Sequence, residues 1–531
     1  MRPTEAVPAP SSVHNRLDPV RAPVVVTVPA PARRGIRGLT PPARLAVAAV
    51  LLVGVGLRAA ALGGGRDLWI DESMLALNLV ERDAAGLLTP LGWNQGAPVG
   101  FLLAMKAVIA QLGAGEWALR LLPFVASLLA LAGFAWLTPR LVPRPAALLA
   151  VALLALSPVM VSYSAECKQY ATDAALTVGL FAAAAGLLTG HGGGRRWAVL
   201  AAAGAAAVWF SHPAAFVLGG IGVALMADAA VKHDRRRFLA AAVTSAAWLV
   251  SFGACYVLFT RHLRGNDYLM GYWAGHFLPL PPRTAGDLAW LAEHYFGPFS
   301  MPGGLAGSEV RAGGLAAVFF AIGLWNLARD RWPVAVAVAA PGLLALLASG
   351  LHAYPFAGRL LLFLVPLMIL GVACGAHAVA AALRPTQAFA AAALLGVLVA
   401  APALEAYQGV KHPMREEQLK PVLDAVRAEL RPGDKVYVYY GAVPAFLYDT
   451  RDEPFPPGVV TLGTEARANR LEYRTQLAEL KGTARVWLVF SHRHQNEEAV
   501  ITAYAEGLGR GGRVAEAPGA AAYRFDFAAG P

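Results

Sequence analysis

Charge is scarce in these 531 residues: Lys, Arg, Asp and Glu make 15% of the chain, against 57% hydrophobic residues. An ordinary soluble domain is far less apolar. Cysteine is scarcer still. Cys167, Cys255 and Cys374 are odd in number and widely spaced, so neither a disulfide framework nor a cysteine-based metal site is supported. The net charge of +11 does not gather in one basic patch, so nucleic acid is not an expected partner. No Gly-rich phosphate fingerprint follows a predicted strand, and nucleotide binding has no support.

What the chain has in abundance is apolar runs of roughly 18 to 25 residues, the length that crosses about 30 Å of hydrocarbon as a helix. Helices are required because lipid-exposed backbone must satisfy its own hydrogen bonds. The sequence therefore predicts a polytopic α-helical membrane protein of the plasma (inner) membrane. About eleven crossings are expected, at 43–63, 117–138, 145–163, 169–189, 196–210, 213–229, 238–260, 311–328, 332–350, 358–383 and 386–406. Residues 1–42, rich in Pro and Arg without apolar periodicity, read as a disordered cytoplasmic tail. Arg33, Arg34, Arg37 and Arg44 place the N-terminus inside. The later basic breaks, at Arg140/Arg144, Arg195/Arg196, Lys232 to Arg237, Arg329/Arg331 and Arg384, then all fall on that same side if 97–112 does not cross. That segment is about 24 Å long as a helix and carries Lys106, which fits an interfacial helix in the first outer loop.

The transmembrane part is expected over 43–407, followed by an extracytoplasmic α/β domain over 408–531. In that second part an amphipathic helix at Lys420–Leu430 precedes a strand at Lys435–Tyr440. A strand at Arg485–Phe490, a helix at Glu497–Leu508 and a strand at Ala522–Phe527 complete the pattern.

The polar residues that bear on chemistry collect on the outer side. Asp71 and Glu72 open a predicted helix just beyond the first apolar run, where they either cap it and complement its dipole or supply a base that takes the proton of an acceptor hydroxyl. Glu166, Tyr170 and Asp173 stand at i, i+4 and i+7, so they are expected along one face of the fourth span. Acids at that depth face a cavity or form an ion pair. A lipid-phosphate leaving group departs as an anion and needs nearby cations. Arg58, Arg120, Lys168 and Arg359 are the candidates, with snorkelling as the other account of each. His212 is either a pocket residue or a hydrogen-bonded interfacial histidine. Ser491-His492-Arg493-His494 has the look of paired metal ligands, but no carboxylate partner is evident and a solvated loop is expected. Trp290, Tyr295 and Phe296 read as interfacial belt residues or as sugar-stacking rings.

Leu57-Arg58 followed by Asp67-Leu68-Trp69-Ile70-Asp71-Glu72-Ser73 resembles the first span and loop of GT-C type, polyprenol-phosphate-sugar-dependent transferases. Protein O-mannosyltransferases and the lipid A aminoarabinose transferase belong to that group, as do dolichyl-phosphate-mannose mannosyltransferases. Trp117 to Pro123, Ser157-Pro158 leading to Tyr163–Tyr170, and Tyr354 to Pro366 extend the resemblance over roughly 43–410. It implies a GT-C-like fold and a catalytic Asp at Asp71, with Glu72 beside it. It also implies that the Glu166 loop helps bind acceptor or metal; no metal ligand is named, and a divalent metal stays open.

The expected activity is transfer of a sugar from a polyprenyl-phosphate donor to a hydroxyl of a glycan, lipid or protein acceptor in the cell envelope, with inversion. A lipid or sugar transporter, or an envelope scaffold, are the readings from other classes. The acids gathered at one face, without a clear internal repeat, fit a transporter less well.

Overall fold

The computed structural model describes residues 40–300, 313–412 and 417–528; the expected tail over 1–42 lies almost wholly outside them. Among the described residues eight helices are long and apolar enough to cross a membrane, nine if one bent pair is a single span. All eleven expected segments are helical over their described residues, and the counts differ because of length and joints. The first is α1, Pro41–Leu62. It is followed by the first-loop helices α2, Ile70–Glu81, and α3, Val99–Leu112. Lys106 of α3 donates to Leu79 O near the end of α2, 2.7 Å away, and with 14 residues α3 is shorter than a crossing.

Next come α4, Glu116–Leu141, and the bent pair α5, Arg144–Leu156, and α6, Pro158–Ser162. The bend of 51° falls at Ser157-Pro158, because Pro158 has no N–H to continue the α5 ladder. Then follow α7, Tyr170–Leu188, α8, Gly194–Phe210, α9, Ala214–Val231, and α10, Arg235–Cys255. The α8 helix has 17 residues, just under the usual span. Short helices α11, Arg261–Arg264, and α12, Asp267–Tyr272, lead to α13, Ala285–Ser300.

Two expected spans run together in α14, Gly313–Gly350. Its 38 residues would extend about 57 Å, far beyond one bilayer, and the non-helical Arg331 (φ −150°, ψ 56°) divides it into two crossings. The last two bundle helices are α15, Val365–Ala382, and α16, Ala388–Lys411. Backbones of α14 and α15 touch at glycines: a methyl on Gly323 would stand 1.9 Å from Gly371 O. Small residues of this kind let membrane helices approach closely.

The basic breaks share one end of the bundle. Arg331 donates to Arg140 O (3.1 Å), Arg237 donates to Leu187 O (2.9 Å), and Asp228 lies between Lys232 (2.7 Å) and Arg237 (3.3 Å). The first loop, the 163–169 turn, His212 and residues 352–359 gather around one cavity elsewhere.

Beyond the bundle lie α17, Lys420–Glu429, α18, Val443–Asp449, α19, Leu471–Ala478, and α20, Glu497–Glu506. They pack on a five-stranded sheet of order β2-β1-β3-β5-β4. Its strands are β1 Lys435–Val438, β2 Val460–Leu462, β3 Val486–Ser491, β4 Arg510–Ala517 and β5 Ala520–Asp526. Strand β1 runs parallel to β2 and β3, and β5 antiparallel to β3 and β4. Three of the five were expected. β4 escaped notice because its Arg510-Gly511-Gly512-Arg513 start has low strand propensity, and β2 has only three residues.

Candidate active site

The helix α2 begins without a side-chain cap of its own at Trp69. Its first N–H is met instead from the C-terminal part: Ile70 N donates to Glu417 Oε2 at 2.7 Å, while Glu417 Oε1 lies 2.6 Å from His492 Nδ1. A second tie lies beside it, where Lys420 N donates to Asp67 Oδ2 (3.0 Å) and the Lys420 ammonium pairs with Glu116. Tyr448 OH also donates to Ala114 O at 2.6 Å. The sheet-bearing part is thus fastened to the loop that carries the acids.

Between them lies a cavity of about 950 Å³. Asp71, in the first turn of α2, lines it and pairs with Arg359, whose guanidinium sits 5.4 Å from the Trp69 ring and 5.9 Å from the Tyr170 ring. Lys168, almost fully buried, lines it as well and donates to Gln95 Oε1 at 2.6 Å. Burial holds its ammonium below the usual lysine range. Tyr170, Asp173 and His212 line the bundle side, and Asp173 Oδ1 has no hydrogen-bond partner among the described residues. Burial and the neighbouring His262 push the His212 imidazole down to about 4, so it is neutral at physiological pH. Tyr440, Arg467, His492 and His494 form the roof.

Other expected site residues lie beneath this wall rather than on it. Glu72 is fully buried and takes both Arg120 Nε (2.9 Å) and Nη2 (2.7 Å), with Cys167 N donating to it at 2.7 Å. Burial works against its charge, but Arg120 more than offsets this and holds the carboxyl below its ordinary range. Neither Glu72 nor Arg120 lines the cavity, so the expected catalytic and phosphate roles give way to a structural ion pair.

Arg58 is corrected in the same way. It is fully buried and donates to Ser127 Oγ (2.8 Å), Gly54 O (2.9 Å), Ala155 O (3.0 Å) and Leu154 O (3.1 Å). The break at Pro158 leaves the Leu154 carbonyl without its helical donor, and the guanidinium fills the gap. Glu166 precedes α7 instead of riding on it, so only Tyr170 and Asp173 share a face on the cavity. Its side chain is almost fully buried beside Glu72, and burial with that neighbouring charge pushes it up to about 7.

The expected solvated loop at 491–494 is also corrected. His492 and His494 line the cavity, and the carboxylate partner that the local sequence lacks is Glu417, 75 residues away. Sequence reasoning also missed Trp69, Gln95 and Tyr354 on the wall. Trp290, Tyr295 and Phe296 lie away from it, and Tyr268, Tyr272 and Trp273 line it in their place.

No family model matches the chain, and no curated protein matches its sequence. Solved structures do. The lipid A aminoarabinose transferase ArnT from Cupriavidus metallidurans, bound to undecaprenyl phosphate, superposes with a TM-score of 0.54 at 16% identity, over 92% of this chain and 99% of that one. The Archaeoglobus fulgidus oligosaccharyltransferase in complex with Zn and sulfate gives 0.53 at 14% identity, over 90% and 72%. The fold is that of GT-C membrane glycosyltransferases. The same archaeal enzyme, AglB, with an inhibitory peptide and a dolichol-phosphate gives 0.51 at 11% identity, over 91% and 74%. At such identities the likeness is one of fold. Among the described residues no three His, Cys, Asp or Glu side chains converge as a metal site. Asp71 is paired with Arg359 and His492 with Glu417.

Proposed function

We propose that this chain is an integral-membrane glycosyltransferase that moves a sugar from a polyprenyl-phosphate donor to a hydroxyl acceptor, with inversion. The observation that carries the reading is the meeting of the Asp71 carboxylate with the cations Arg359 and Lys168 on a single cavity between a membrane bundle and its roof. The leaving group of such a step, a bare lipid phosphate, is the kind of molecule that two of the neighbouring structures hold, as undecaprenyl phosphate and a dolichol-phosphate.

In the step proposed, the acceptor oxygen attacks the anomeric carbon and its proton passes to the Asp71 carboxylate. The bond from that carbon to the phosphate oxygen breaks, and the electron pair leaves with the phosphate. Arg359 and Lys168 stabilise the anion as it forms. Asp71 rests against Arg359. An arriving phosphate competes for Arg359 and frees the carboxylate, so donor binding prepares the base. Asp173 and His212 shape the acceptor side.

The positive-inside rule sets the basic end of the bundle in the cytosol. The cavity and the sheet-bearing part then face outward, as the eleven expected crossings from a cytosolic N-terminus would require. The test is transfer from lipid-linked sugar in membrane vesicles. Asp71→Asn should retain the protein and lose transfer by about 10²- to 10⁴-fold, and activity within tenfold of the parent overturns the base assignment.

A further inference from the structure

A second cavity, of about 1620 Å³, opens at the basic end of the bundle. Its rim carries Arg140, Arg195, Arg196, Lys232 and Arg331 against only two acids, Asp228 and Asp330. Of those acids, Asp228 is already neutralised between Lys232 and Arg237. The guanidiniums are held by neutral carbonyls rather than by carboxylates. Arg331 donates to Arg140 O (3.1 Å) and Leu141 O (3.3 Å), Arg140 to Trp136 O, and Arg196 to His191 O. Gly186 lets Arg196 lie against α7, since a methyl there would stand 2.8 Å from Nη1. Arg195 has no hydrogen bond or ion pair among the described residues.

Positive charge at span ends is ordinary, but that rule does not call for a hollow ringed by four arginines that pair with no carboxylate among the described residues. The hollow also has an apolar wall. Ala182, Ala183 and Val199 line it beside Trp136, and Val199 and Trp136 are 51% and 46% exposed. Cations at the mouth and apolar side chains along the flank match a headgroup and an acyl chain of one molecule. Basic pockets between membrane helices bind acidic headgroups in this manner.

We propose that this cavity is a binding site for a phospholipid with an acidic headgroup, separate from the site of transfer. The four arginines grip the phosphate and the α7–α8 flank takes the upper part of a chain.

The test is native mass spectrometry of the full chain in neutral detergent, titrated with phosphatidylglycerol, phosphatidylcholine or inorganic phosphate. Phosphatidylglycerol should bind, and Arg195→Ser/Arg196→Ser should weaken it about tenfold or more. Arg235→Ser/Arg236→Ser removes two exposed cations outside the cavity and should leave binding unchanged. Ala183→Trp, which fills the wall without touching charge, should weaken it as well and serves if the arginine variant fails to fold. Equal binding of the two lipids, equal loss in both arginine pairs, or unchanged binding in Ala183→Trp overturns the proposal. Displacement of phosphatidylglycerol by millimolar inorganic phosphate overturns the lipid and leaves a site for soluble anions.

Discussion

Asp71 and Glu72 are neighbours in the chain and opposites in the structure. Glu72 lies beneath the cavity wall with its charge answered by two bonds from Arg120 and one from Cys167 N, and, deeper, Arg58 is spread over three carbonyls and a serine. Asp71 belongs to the layer above, where it meets Arg359 at the edge of a cavity and each keeps about a fifth of its side chain exposed. Charges deep in a low dielectric are stable only when saturated, and saturation leaves nothing with which to engage a substrate. Incomplete satisfaction at a cavity wall is what makes a charge available.

The strongest break of that contrast is Arg120→Ala. It strands a buried carboxylate, which costs about 3–5 kcal/mol, and the expected result is little folded protein on size-exclusion chromatography. Asp71→Asn should do the reverse, leaving the melting temperature close to that of the parent while transfer falls by about 10²- to 10⁴-fold. A thermal melt and a transfer assay on the same preparation separate the two layers.

Glu417→Ala sharpens the comparison from a distance. The carboxylate touches no reacting atom in the proposed step, but it caps the helix that bears Asp71. Its loss should cost about 1 kcal/mol of stability and lower transfer tenfold to a hundredfold through misplacement of the base. An unchanged rate would show that α2 holds its place unaided.

Glu166→Gln is the smallest effect and depends on pH. Glu166 is pushed up to about 7 in the folded chain, so between its unfolded value near 4.5 and that point the folded state binds the extra proton. Stability contributed by this group therefore falls as pH rises through that window and is lowest above it. Glutamine carries no such penalty. The variant's gain in melting temperature should grow by about 2–4 °C from about pH 5 to about pH 8, as differential scanning fluorimetry would read.

The division between the layers was partly legible in the sequence. Successive residues of a helix point about 100° apart, and Glu72 shares its face with the buried Leu75, Ala76 and Leu79, whereas Asp71 shares its face with Met74 on the cavity. That pattern was available before any coordinates. The helical segments and the clustering of acids beyond the first span were legible too, because hydrophobic length and charge placement are local properties.

What was not legible is what depends on chain folding over distance. Nothing near Ser491-His492-Arg493-His494 announces a partner at Glu417, and the proximity arises only when β3 and the start of α17 dock on the first loop. The reach of Arg58 to the carbonyls freed at Ser157-Pro158, 96 and 97 residues on, is of the same kind.

The ties at Glu417 and Lys420 bear on any attempt to re-engineer acceptor choice by grafting a foreign roof onto this bundle. A chimera joined just after α16 would need to bring a carboxylate able to reach Ile70 N and a cation able to meet Glu116. A graft chosen only for the residues that face the cavity would leave the helix bearing Asp71 uncapped, and its altered activity would then say little about the acceptor.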